Sequence, residues 1–261
     1  MRADPIQWYP GHMARAMRRL ADDLKLIDVA IEVVDARVPF SGSNPQLQQI
    51  VVRKRRLLVL AREDLADPQT TARWLAHFEL EGRAVVTLDV KRRAGLARLV
   101  RALTEVAGEG HGAQRAIVVG IPNAGKSTVI NALAGRNVAR VEDRAGVTRA
   151  PQWFRLGPTL ELMDTAGILV PRIATEEAQW KLAMVGAVPR TRYDPEDVVS
   201  RFWRWCTDGA RYRAIPDLET YAQSRGFVRR GNVLDIHNAA WAYLKDFSDA
   251  RFGRITLEEP A

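Results

Sequence analysis

Apolar residues along the first two thirds of the chain fall into two kinds of pattern. Short β-branched or aliphatic runs predict buried strands over 28–34, 57–61, 84–88 and 117–120. Between them, apolar residues recur at helical spacing. Met13, Met17, Leu20, Leu24 and Ile27 predict a helix over 12–26. Residues 68–81 read as a helix with Gly82 as its stop, 95–107 as a helix with Leu96, Leu99, Val100 and Leu103 on one face, and 126–134 as a third. Residues 39–45 are a loop, 109–112 a glycine-rich connector, and 152–156 with 160–163 a hairpin around Gly157-Pro158. Strands alternating with helices predict an α/β fold, a mostly parallel sheet flanked by helices on both faces. Ligands of such sheets lie beyond the carboxyl ends of the strands.

After Pro171 the strand runs stop. Helices are predicted near 175–186, 194–206, 216–225 and 232–248, separated by Pro189, Gly209 and Gly231. The expectation is therefore two domains, an α/β domain over 1–170 and a small all-α domain over 171–261. A chain of 261 residues suits that number. Trp203, Trp205, Tyr212 and Trp241, interleaved with Arg201, Arg204, Arg211 and Arg213, have two readings. They stack on and neutralise RNA, or they are the aromatic core of a small bundle with arginines on its wet face.

Composition adds a partner class. Lys plus Arg number 39 against 31 Asp plus Glu, a net charge of +8 that favours a polyanion. Residues 1–110 hold 18 basic and 14 acidic groups, 111–170 hold 7 and 4, and 171–261 hold 14 and 13. The excess thus sits on the α/β part, not on a basic tail. Only six of the basic residues are Lys, so each retained Lys is informative. A single cysteine, Cys206, excludes an internal disulfide framework and suits a reducing compartment. The first residues carry no apolar secretory core, and no apolar run approaches the ~18 residues of a membrane span. A cytoplasmic protein without membrane contact is expected.

The sharpest motif is Gly120-Ile121-Pro122-Asn123-Ala124-Gly125-Lys126-Ser127, followed by Thr128. It fits G-x-x-x-x-G-K-[ST] between a predicted strand and helix, the context the motif requires. Glycines let the backbone wrap phosphates, Lys126 reaches the β and γ phosphates, and Ser127 ligates Mg²⁺. Asp164-Thr165-Ala166-Gly167 ends the last strand, where Asp164 is a Mg²⁺ ligand and Gly167 N–H meets a γ-phosphate. Thr148 lies between the two, either a second hydroxyl ligand of Mg²⁺ or a polar loop residue.

The guanine-reading N-K-x-D of GTPases normally follows D-x-x-G. Here its counterpart is upstream, at Ala61-Arg62-Glu63-Asp64, with Thr87-Leu88-Asp89 as the second base loop. The order base loops, phosphate loop, switches is a permutation that leaves every loop at one sheet edge, provided the old termini were close. Together with Trp8-Tyr9-Pro10-Gly11-His12-Met13, Asp35-Ala36-Arg37-Val38-Pro39, Asn44-Pro45 and Gly146-Val147-Thr148, this order resembles the circularly permuted GTPases of the YlqF/YawG type. The resemblance spans nearly the whole of 1–170. It implies a P-loop GTPase that cycles between GTP and GDP in the cytoplasm. Its implied partners are the large (50S) ribosomal subunit and its rRNA, and its role is their late maturation; a monomer is expected. It also implies that Asn123 goes with K⁺ ligation; a loop Asn at an unusual backbone angle is the other reading.

The chain departs from the family where the base is read. Asp64 keeps the carboxylate that pairs with guanine, and Arg62 replaces the Lys whose stem packs over the base. Ala61, however, has no amide for the purine edge, a loss of about 0.5–1.5 kcal/mol. The residue after D-x-x-G, where Ras-like enzymes place a water-orienting Gln, is Ile168. The resemblance points to His12 instead, with helix capping or RNA contact as the other role open to it. Two further functions compete with a GTPase: a nucleotide-holding RNA or ribosome scaffold with little hydrolysis, allowed by Ala61 and Ile168, and an ATP-using P-loop enzyme, disfavoured by Asp64. Asp35 and Arg37 are placed as a structural ion pair. His77, His111 and His237 are isolated in sequence and suggest no zinc site.

Overall fold

Six strands form one sheet in a computed structural model, which describes residues 24–43, 51–52, 54–89, 93–108, 114–135, 152–156, 160–164, 173, 175–209, 212 and 214–260. In chain order the elements are β1 (Val29–Asp35), β2 (Arg55–Ala61), α1 (Pro68–Leu80), β3 (Ala84–Leu88), α2 (Arg93–Ala107), β4 (Gln114–Val119), α3 (Lys126–Ala134), β5 (Gln152–Leu156) and β6 (Leu160–Asp164). The spatial order is β3-β2-β1-β4-β6-β5, all parallel except β5, which forms an antiparallel hairpin with β6. The predicted α/β sheet is therefore present. Of the predicted helix over 12–26, only a 3-10 turn at Leu24–Leu26 falls among the described residues.

Period-two alternation on β1 divides the core. Val29, Ile31 and Val33 face the layer that holds Leu99 and Leu103 of α2 and Val129 and Ile130 of α3. Ala30 and Val34 belong to two separate buried groups on the other face, one with Ile27, Val51, Ile117 and Met163, one with Leu58, Leu60, Trp74 and Phe78. Glu32 comes between them in sequence on that face. It is buried, accepts from Ser43 Oγ at 2.7 Å, and pairs with Arg83 Nη2 at 3.2 Å. Helix α1 begins where its sequence says it should: Asp67 Oδ1 accepts from Thr70 N at 2.7 Å, Pro68 occupies the first turn, and Gly82 follows the end at φ 71°.

The later elements are α4 (Glu176–Met184), α5 (Pro195–Asp208), α6 (Leu218–Ser224), a two-residue-strand hairpin β7 (Val228–Arg229) and β8 (Val233–Leu234), and α7 (Ile236–Ser248). Thr175, Asp194, Asp217 and Asp235 cap the four helices. The hairpin departs from the expectation of helices alone. It occupies 228–234, so the helix predicted from 232 starts at 236.

Phe202 is the hub of the helical part, 5.2 Å from the Phe247 ring, 6.2 Å from Tyr243 and 6.3 Å from Trp205. Trp205 also packs against Trp180 and Tyr212, and Arg190 lies 4.9 Å over Trp241. For Trp205, Tyr212 and Trp241 the core reading is therefore the one realised, and Arg201 is held by Asp197 and Glu176. Cys206 is buried in the same core, which pushes its thiol up to about 12. Its apolar neighbours run without a break into the α2 and α3 side of the sheet. The domain division expected at 170/171 falls outside the described residues. Among the described residues, no helix is long and apolar enough to cross a membrane.

Candidate functional site

From β1 the chain runs outward to β2 and β3, then crosses back to place β4 on β1's other side. That reversal opens a crevice at the carboxyl ends of β1 and β4, the place where open α/β sheets bind ligands. Strand register brings the loops to this edge together. Asp35 pairs with Ala61 and Ala61 with Leu88 at the ends of β1, β2 and β3, while Val118 near the end of β4 pairs with Asp164 at the end of β6.

The loop after β4 is tightly built. Gly120 has φ 152°, and a Cβ there would lie 2.3 Å from Val33 O, so only glycine lets the loop leave the sheet beside β1. Asn123 (φ 58°) and Gly125 (φ 103°) are also left-handed, and Gly125 caps α3. Ala124 is buried, and Ser127 and Thr128 are half-buried in the first turn of α3. Lys126 is buried and donates from Nζ to Ile121 O at 2.8 Å, so its ammonium folds back over the loop. Backbone N–H groups at a helix start favour an anion.

The base loop lies directly against this turn. A Cβ on Gly125 would lie 3.1 Å from Ala61 Cβ, which places the second Gly of the phosphate motif on the first residue of the base motif. Arg62 takes φ 59° and begins a 3-10 turn, Glu63–Leu65, that carries the half-buried Asp64. Thr87 and Leu88 are buried at the end of β3. Arg98 of α2 links the two base loops, 3.5 Å from Thr87 Oγ1 and 3.6 Å from a Glu63 carboxylate oxygen.

Asp35 stands at the end of β1, between the β2 and β4 loops. Its carboxylate accepts a fork from Arg37, Nε at 2.9 Å and Nη2 at 2.8 Å, and also the Arg37 backbone N–H at 3.0 Å. Arg62 Nη1 approaches the same carboxylate at 3.4 Å. Burial by itself would raise the Asp35 pKa, but Arg37, joined by Arg62, outweighs it and holds the carboxyl below its usual 3.8. The structural ion pair expected from sequence is thus present, with Arg62 as an added member.

Asn123 Nδ2 donates to Gly186 O at 2.7 Å, tying the phosphate loop to the turn after α4. Nothing local in the sequence announces that bond. Also unannounced are residues 254–259, which return to the base-loop side, where residues 254–256 bond to residues 63–67. Sequence spacing also hides a grouping of Asp194, Glu196 and His237, whose ligand atoms lie within 4.8 Å of one another. Trp241 Nε1 already donates to His237 Nε2, and Asp194 caps α5. His12, Thr148 and Gly167 lie outside the described residues; Asp164 is described in its backbone only.

A family described as 50S ribosome-binding GTPase matches residues 115–194. The chain is 36% identical to ribosome biogenesis GTPase A of Priestia megaterium, over 98% of this chain and 97% of that protein. It is similar in structure to YlqF in its GDP-bound form, with TM-score 0.76 and 31% identity over 93% of this chain and 99% of that one. GNP-bound YlqF from T. maritima gives the same TM-score at 30% identity, covering 94% and 98% of the two chains.

Proposed function

The chain belongs to the ribosome biogenesis GTPase A family, hydrolysing GTP in the service of ribosome assembly, and from that premise we propose that it assists late maturation of the large (50S) ribosomal subunit in the cytoplasm, as a monomer. The main support for nucleotide binding is the close approach of Gly125 to Ala61, where an added Cβ would meet the Ala61 side chain, so that the base loop lies beside the phosphate loop. The net charge of residues 1–170, +7 of the +8, supports rRNA as the polyanion.

In this reading Gly125, Lys126, Ser127 and Thr128 cradle the phosphates, with Asn123 and Ala124 at the loop's turn. Asp64 pairs with the guanine edge, and Thr87 and Leu88 flank the base. Ser127 lies in the first turn of α3, which follows β4, and the backbone of Asp164 ends the neighbouring β6; with Thr148 these residues would hold Mg²⁺, which would supply charge at the phosphate oxygens. Asn123 spends its amide nitrogen on Gly186 O, so its oxygen is the end that would meet K⁺. His12 orients the water that adds to the γ-phosphorus as GDP leaves, and Gly167 N–H meets the γ-phosphate.

The deciding experiment measures GTP turnover with and without large subunits, and co-sedimentation in GDP and in a non-hydrolysable GTP analogue. Faster turnover on subunits and nucleotide-dependent sedimentation are expected; neither appearing would overturn the proposal. His12→Ala should lower turnover about 10²-fold or more at unchanged GTP affinity. Full turnover in that variant removes His12 from the role.

The missing amide at Ala61 has its own test. Ala61→Asn should tighten GDP binding by up to about ten-fold, the worth of one hydrogen bond, and widen the preference over ADP. Titration calorimetry reads both, and an unchanged ratio would show that this position does not touch the base.

A further inference from the structure

Asp64 sits in a single 3-10 turn, Glu63–Leu65, between a left-handed Arg62 and the cap of α1. One such turn fixes several dihedral angles for very few hydrogen bonds, so it does not hold its own shape. Its exposed backbone groups are taken up by a segment about 190 residues downstream. Arg254 Nη2 donates to Glu63 O at 2.6 Å and Arg254 Nε to Ala66 O at 2.7 Å, so one guanidinium fork closes over both ends of the turn. Ile255 N donates to Leu65 O at 3.3 Å, and Asp67 N donates to Thr256 Oγ1 at 3.0 Å.

The same segment is anchored on both sides. Leu257 N donates to Arg37 O at 2.8 Å, and Trp74 Nε1 donates to Glu258 O at 3.0 Å. The Glu258 carboxylate accepts from Phe40 N at 2.7 Å and Ser41 N at 3.1 Å, as well as from the Ser41 hydroxyl. Lys181 of α4 lies 4.0 Å from that carboxylate, and Arg73 pairs with Glu259 at 2.5 Å. Ile255, Thr256, Leu257 and Glu258 are all buried. The strap is therefore fixed where it meets the loop, and rigid support of this kind is what sets the aim of a binding group.

We propose that Arg254 is a positioning residue for guanine recognition: by bridging Glu63 O and Ala66 O it sets the direction of the Asp64 carboxylate toward the base. This rests on the reading that Asp64 selects guanine. Arginine suits the role because its planar fork spans two acceptors at once, whereas a lysine ammonium on a flexible stem satisfies one of them well.

The test uses the full chain with Arg254→Ala, Arg254→Lys and, as an independent variant, Thr256→Val, which deletes the acceptor for Asp67 N. GDP and ADP affinities are measured for each, with kcat and KM for GTP. Arg254→Ala should weaken GDP about ten-fold while ADP is unchanged, so that the preference for guanine contracts by the same factor. KM for GTP should rise and kcat at saturation hold. Arg254→Lys should recover part of the preference, and Thr256→Val should lose a smaller part. Should Arg254→Ala fail to fold, the other two variants still decide. GDP and ADP weakening together, or an unchanged preference in all three variants, would overturn the bracing role and leave Asp64 as reader. A wild-type protein that binds GDP and ADP alike would overturn the base reading, and the bracing role with it.

Discussion

Asp35→Ala is expected to destabilise the protein by about 3–5 kcal/mol, the usual cost of stripping one partner from a buried ion pair. Both side chains of the pair are 1% exposed, so Arg37 would keep its charge without water or a counter-ion. One of its nitrogens, Nη1, already has no hydrogen-bond partner among the described residues, and its guanidinium lies 5.3 Å over the Phe247 ring. The double variant Asp35→Ala/Arg37→Met removes the stranded charge and should recover most of the loss. Urea denaturation reads both; a single-variant loss below about 1 kcal/mol would mean that water reaches Arg37. The pH dependence has a definite sign. Because the folded carboxyl titrates below 3.8, the unfolded chain takes up its proton first as acid is added. The contribution of Asp35 is therefore complete above pH 3.8 and is lost as pH falls through the lower folded value. The double variant should lack that part of the acid limb.

Gly120→Ala is expected to cost at least about 3 kcal/mol and to weaken GDP binding by about 100-fold. Two terms combine. The backbone angle of 152° is one that L side chains rarely adopt, and the new methyl would lie 2.3 Å from Val33 O, a backbone atom held in the central strand. Relief requires the phosphate loop to move away from β1, which also moves its N–H groups from where the phosphates sit. Gly135→Ala is the control: its φ of 61° is left-handed too, but nothing lies within 4 Å, so it should cost about 1 kcal/mol and leave binding intact. Thermal unfolding and GDP titration on the two variants separate strain from collision. Equal losses would show that the clash is relieved without moving the loop.

The parts of the fold that were legible in sequence are those whose signal is local. Strand 84–88 and helix 126–134 are found with the bounds that their apolar runs and the phosphate motif indicate. The Asp35–Arg37 pair is two residues apart, and so is visible to inspection. The 228–234 hairpin was not, because strands of two residues are too short to display a period of two. Nor was the Asn123–Gly186 bond, which joins residues 63 positions apart through one side-chain amide and one carbonyl. The strap was hidden for the same reason. Arg254, Thr256 and Glu258 carry no motif, and their partners are chiefly backbone groups 188 to 218 positions away. Within the site, residue types predicted the phosphate cradle, whereas the support of the base loop depends on contacts that only the folded chain creates.

The separation between the base loop and its strap also sets a timetable. Glu63 and Arg254 are 191 positions apart, so at synthesis rates of about 5–20 residues per second the loop exists for roughly 10–40 s before its support has been made. For roughly the last two thirds of that interval the phosphate loop, only some 60 positions after Asp64, has already been made. A nascent chain would thus acquire affinity for phosphates before it acquires discrimination between purines, and the two properties would mature in sequence on the translating ribosome.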